Sequence, residues 1–191
     1  PSSVRGMRKA CNLSKKFDGW DRYARQVEVL REHHLQTWAA FTLGHDTDTV
    51  ESVAETLQFA EEHKFCFAAF NILMPYPSTP LYAQLESEGR LLWGGKWWLH
   101  PEYRFNHAAF IPKNMTPEEL TEAVFKCRVR WNSVPSILTR VWDFQTHMSS
   151  PYRLGTYFVY NKLFASEAMT KHGMYFGKHE DSITMVDHGA R

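Results

Sequence analysis

Cysteine is scarce. The three in the chain, Cys11, Cys66 and Cys127, are odd in number and far apart. They supply neither an even disulfide framework nor the close pair of a structural zinc site. A reducing environment, and hence the cytoplasm, is the expected location. Charge of one sign is lacking too: 22 Lys and Arg against 21 Asp and Glu leave a formal net charge of +1. That excludes the broad basic field of a nucleic-acid binder. No apolar run approaches the ~18–20 residues of a membrane span. No signal-peptide pattern opens the chain. A nucleophile elbow, a P-loop and a dinucleotide-binding glycine pattern are all missing. A small hydrolase reading therefore has no motif behind it.

Aromatic residues are plentiful, at 15% of the 191 residues with thirteen Phe and seven Trp. They imply a sizeable core or a surface that expects a partner. The periodicity of the first half is regular. Trp20, Tyr23, Ala24, Val27 and Leu30 fall on one face of a helix, with Asp18 placed to cap it. "QTWAAFTLG" is a short apolar run stopped by Gly44, and reads as a buried strand. Val50, Val53, Ala54, Leu57 and Ala60 mark a second helix, for which Asp48 followed by Glu51 predicts a capping box. "FCFAAFNILM" is a second strand, stopped by Pro75. Apolar strands without alternation, separated by amphipathic helices, predict an α/β fold with parallel strands. Beyond them "PLYAQLESEGR" predicts a short helix, and "NHAAFI" one more strand. Thr116, Pro117 and Glu119 form a strong helix start. "PSILTRVWDFQTH" and the segment from Ser150 to His172 continue as helices.

Two strand ends are the candidate site, because ligands of parallel α/β folds sit where the loops after the strands converge. Alternation puts Ala40 and Thr42 with Gly44 on one face, and Ala69 and Asn71 with Leu73 on another, the smaller and more polar faces of the two strands. These faces either line a ligand site or make ordinary backbone contacts. Gly44 either lets a ligand approach or merely ends the strand. "HDTDT" is too local for a closed metal site, and no metal ligands are assigned. Cys66 reads as a small buried hydrophobe.

The segment "FTLGHDTDTVESVAETLQFAEEHKFCFAAFNILMPYPSTPLYAQLESEGRL", followed by "WW" and "MTPEEL", resembles the C-terminal half of radical S-adenosylmethionine enzymes. The closer likeness is to the class with an N-terminal cobalamin-binding domain. Those proteins show a strand ending in G-x-D-x-D-T, then one ending in P-x-P-G-T-P-L, and the resemblance runs from about Lys9 to Tyr160. It implies late βα units of a partial (β/α) TIM-like barrel over residues 1–112. A helical C-terminal region over 113–172 and an irregular tail over 173–191 follow. It also implies a parent iron–sulfur oxidoreductase using S-adenosylmethionine, a [4Fe–4S] cluster and cobalamin. In that setting Thr42 and Gly44 flank the adenosine of S-adenosylmethionine. Asn71 and Pro75 stand at the rim that faces substrate. The cluster motif C-x-x-x-C-x-x-C is absent, so no catalytic residue is assigned and the chain alone is expected to be inactive. Ser78 stands where the family has Gly, which argues against a positive φ there. The expected partner is the missing N-terminal half, or a second copy pairing through exposed strand edges. The rival reading is a non-catalytic interaction module that uses the aromatic segment Trp93–Tyr103.

Overall fold

The computed structural model describes residues 20–175. The order is α1 (Trp20–Glu32), β1 (Trp38–Leu43), α2 (Val50–Glu62), β2 (Phe67–Ile72) and α3 (Pro80–Ser87). Two short 3-10 turns, Leu92–Gly95 and Trp97–Leu99, then lead to α4 (Pro117–Trp131), α5 (Val134–Val141) and α6 (Pro151–Lys171). The strands pair in parallel, in register from Trp38 opposite Phe67 to Leu43 opposite Ile72. The connection between them is the helix that parallel pairing requires.

One face of this sheet is covered and the other is largely open. Ala39, Leu43, Phe70 and Ile72 are buried with Val53, Leu57 and Ala60 of α2 and Leu120, Val124 and Trp131 of α4. Phe41 stacks on Phe70 at 5.4 Å between ring centres. Each fully buried Leu, Val or Phe here contributes ~1.5–3 kcal/mol. The opposite face presents Trp38, Ala40 and Thr42 of β1, all exposed, beside Phe67, Ala69 and Asn71 of β2. At the strand starts α6 lies against it, with Phe164 5.7 Å from Trp38 and 5.6 Å from Phe67.

The sheet's two edges differ. Among the described residues β1 has no strand on its outer side. The outer side of β2 is served by side chains. Arg128 Nε donates to the Phe70 carbonyl at 2.8 Å. Asn161 Nδ2 donates to the Cys66 carbonyl at 3.2 Å. The buried Arg140 guanidinium donates to the carbonyls of Phe65, Cys66 and Trp131 and lies over the Trp131 ring at 3.5 Å. These bonds tie α4, α5 and α6 to one strand.

Several expectations need correction. Thr49, not Asp48, caps α2. Its hydroxyl accepts from Ser52 N, and Ser52 Oγ accepts from Thr49 N. Asp48 is instead turned back into its own loop. "NHAAFI" is not a strand. It makes a single antiparallel bridge, Leu91 with Phe110, and Ala108 N–H is taken by Thr121 Oγ1. The helix after Ser133 stops at Val141, because the Asp143 carboxylate accepts the N–H groups of Gln145 and Thr146 and holds a turn. Ser78 adopts φ +66° after all, so the turn keeps a left-handed residue without glycine. Thr116, Pro117 and Glu119 start α4 as the sequence predicts. Asp18 and the tail beyond residue 175 lie outside the described residues.

Candidate functional site

The loop after β1 is closed on itself. Asp48 is buried, and one of its carboxylate oxygens accepts the N–H of Gly44 at 2.8 Å and of His45 at 2.9 Å. Burial raises its pKa, and these two bonds offset that only in part. Asp46 faces outward between Lys113 Nζ at 2.7 Å and Arg90 Nη1 at 2.8 Å. Burial works against ionisation of Asp46, but the two cations outweigh it and hold the carboxyl below its usual range. Asn114 Nδ2 donates to the carbonyls of Asp46 and Asp48. Both carboxylates of "HDTDT" are thus engaged by the protein. Among the described residues no group of three His, Cys, Asp or Glu is placed to hold a metal.

Gly44 sits in this loop at φ +104°. A Cβ there would lie 2.7 Å from Leu120 Cδ2 and 3.2 Å from Phe110 Cζ. On the side where a Cβ would stand the space is filled by the core, so Gly44 serves backbone geometry and packing.

The loop after β2 is stiffened from behind. Pro75 is buried, and its carbonyl accepts Trp97 Nε1 at 3.1 Å. Thr79 caps α3 through Tyr82 N, with Pro80 in the first turn. Trp97 and Tyr103 are themselves buried, their rings 4.9 Å apart, with Met74, Trp93 and Trp98 against them. This cluster spends most of the aromatic surface of Trp93–Tyr103 on propping the proline-rich turn. Trp97 and Tyr103 are thereby removed from any contact surface.

Of the four predicted site residues, only Thr42 and Asn71 are brought together on an open face. They are register partners and both are exposed. Gly44 and Pro75 lie behind them in the packing. Asn71 also borders a cleft of about 280 Å³ that runs along the outer side of β2. Phe67, Trp131 and Phe164 form apolar walls, while Arg128 and Asn161 supply polar groups. Sequence reasoning missed Arg128. A signal was there: it follows Leu120, Val124 and Cys127 on the buried face of α4, an unusual place for a cation.

Over 182 residues, 91% of its length, the chain is 25% identical to a hopanoid C-2 methylase of Rhodopseudomonas palustris (strain TIE-1). Over 126 residues it is 25% identical to a bacteriochlorophyllide d C-12(1)-methyltransferase of Chlorobaculum tepidum, covering 66% of this chain. Over 98 residues it is 29% identical to an anaerobic magnesium-protoporphyrin IX monomethyl ester cyclase of Cereibacter sphaeroides, covering 51% of this chain. The chain is a distant relative of these enzymes. It spans only 29%, 25% and 15% of their respective lengths, so most of each relative has no counterpart here. No family model and no solved structure matches. Among the described residues no helix is long and apolar enough to cross a membrane.

Proposed function

We propose that this chain is the late part of a partial (β/α) barrel belonging to a radical S-adenosylmethionine enzyme of the cobalamin-binding class. The observation that carries the reading is the similarity to the hopanoid C-2 methylase along 91% of the chain. The geometry supports it. The two strands that bear the motifs are adjacent, parallel and in register. Their carboxyl ends therefore converge, as a ligand site at strand ends requires. In this reading the open edge of β1 receives the preceding strand from the rest of the parent protein. Thr42 and Asn71 face the interior, toward S-adenosylmethionine and substrate. The clamped loop at Asp48 and the propped turn at Pro75 fix the height of the rim.

The described cysteines do not fit a [4Fe–4S] cluster. Burial pushes the Cys66 thiol up to about 12 and the Cys127 thiol up to about 11. A cluster needs thiolates. The two also stand on different elements, Cys66 before β2 and Cys127 within α4. In this reading the cluster ligands belong to another part of the parent protein, and this chain contributes position and shape.

Anaerobic reconstitution with iron and sulfide tests the reading. The 191-residue chain alone is expected to hold no stoichiometric cluster and to release no 5′-deoxyadenosine from S-adenosylmethionine. The same chain extended by its upstream coding sequence is expected to do both. A cluster with cleavage in the short chain, or neither in the extended protein, refutes the proposal.

A further inference from the structure

Arg128 is a buried cation with no counter-charge among the described residues. It is 7% exposed, on the α4 wall of the cleft. Its Nε is used by the Phe70 carbonyl, but its Nη1 is buried and meets no partner. Among the described residues no carboxylate pairs with it. Glu167 and Lys171 also border the cleft, but they pair with one another one turn apart on α6 and so add no net charge. Burial pushes the Arg128 pKa down to about 10, which still leaves it charged at neutral pH. His172 lies close enough to feel that charge. Burial, then His107, then Arg128 lower its pKa, so the histidine flank adds little positive charge at neutral pH. A desolvated, unpaired guanidinium is costly unless something negative completes it.

We propose that the cleft beside β2 binds a small amphipathic carboxylic acid, its carboxylate on Arg128 and its apolar body between the aromatic walls. The charge selects the head group. One guanidinium balances one carboxylate, whereas a phosphate dianion would bring an uncompensated charge into the site. Asn71 and Asn106 on the cleft wall are neutral and suit the remaining carboxylate oxygen. The walls select the body. Phe67, Trp131 and Phe164 offer flat apolar surface, and about 280 Å³ holds one or two rings. This inference concerns the cleft of this chain and does not rest on the family reading.

Titration of the 191-residue chain with naphthalene-2-acetate, followed by tryptophan fluorescence and calorimetry, tests it. Naphthalene-2-acetamide is the neutral control and 2-naphthyl phosphate the dianionic one. The acetate is expected to bind roughly tenfold or more tighter than either, the scale of one charge-assisted hydrogen bond. Arg128→Gln is expected to bring acetate down to the level of the amide. Ala168→Phe, which fills the cleft from α6 without touching Arg128 chemistry, is expected to abolish binding of all three. Should Arg128→Gln fail to fold, the comparison of acetate with amide on the unaltered chain and the Ala168→Phe variant still decide. Equal affinity for acetate and amide, preference for the phosphate, no binding, or binding indifferent to Ala168→Phe overturns the proposal.

Discussion

Replacing Gly44 by Ala separates two roles for that glycine, permitting a ligand's approach and permitting the fold. The cost to the fold follows from the geometry. At φ +104° the backbone lies outside the left-handed window that L-residues tolerate, a strain of about 1–3 kcal/mol. The new methyl would also stand 2.7 Å from Leu120 Cδ2 and 3.2 Å from Phe110 Cζ, both in the packed core. Overpacking of this kind costs about 1–3 kcal/mol. The total, ~2–6 kcal/mol, is a large share of the ~5–15 kcal/mol by which a domain is stable. With a urea slope of ~2 kcal/mol per M, the unfolding midpoint should fall by about 1–3 M. Leu120→Ala in the same background isolates the steric part. It should relieve the clash but not the backbone strain, giving a coupling energy of about 1–3 kcal/mol in a double-mutant cycle. A Gly44→Ala variant within 0.5 kcal/mol of the parent on the scale of ordinary surface changes, or one that couples to nothing at Leu120, refutes the reasoning.

His147 is buried beside the Lys64 carbonyl, and burial lowers its pKa from 6.5 to about 4. The folded state thus refuses a proton that the unfolded state accepts, and the stability present above pH 6.5 is lost as pH falls toward 4. Urea midpoints should register about 2 kcal/mol less stability at pH 5 than at pH 7 from this group, and His147→Gln should flatten that difference. Ser78→Gly should stabilise by up to ~1 kcal/mol, since glycine carries no penalty at the φ of +66° that Ser78 adopts; a clear loss of stability in thermal melts would count against it. Light scattering at high concentration should find a dimer in equilibrium with monomer, through the unpaired edge of β1; a clean monomer speaks against this.

Much of the fold could be read in the sequence because period and caps are local. Val53, Leu57 and Ala60 mark α2 by spacing alone, and Thr116, Pro117 and Glu119 declare the start of α4. Errors arose where a contact outside the helix and strand periodicity decided. Asp48 and Thr49 are both good caps. What assigned the task to Thr49 was the demand of the Gly44 and His45 N–H groups for a carboxylate. The role of Gly44 rests on Leu120, which no local pattern connects to it. Thr42 and Asn71 were found because alternation is a property of each strand, but their side-by-side placement depends on register. Arg128 broke the apolar face of its helix visibly, yet only the tertiary structure shows that no carboxylate among the described residues answers its charge.

The unlike edges of the sheet give its growth a direction. A strand arriving beside β2 meets the Phe70 carbonyl already bonded to Arg128, and just before β2 the Cys66 carbonyl bonded to Asn161 and Arg140. Among the described residues no strand lies on the outer side of β1. Addition is therefore one-sided, and one-sided addition is self-limiting. Two stray copies that meet through β1 would pair antiparallel about a two-fold axis, consume the single adhesive edge of each, and stop. Under the proposed reading, the edge that would take a preceding strand is the same one that a paired copy would close.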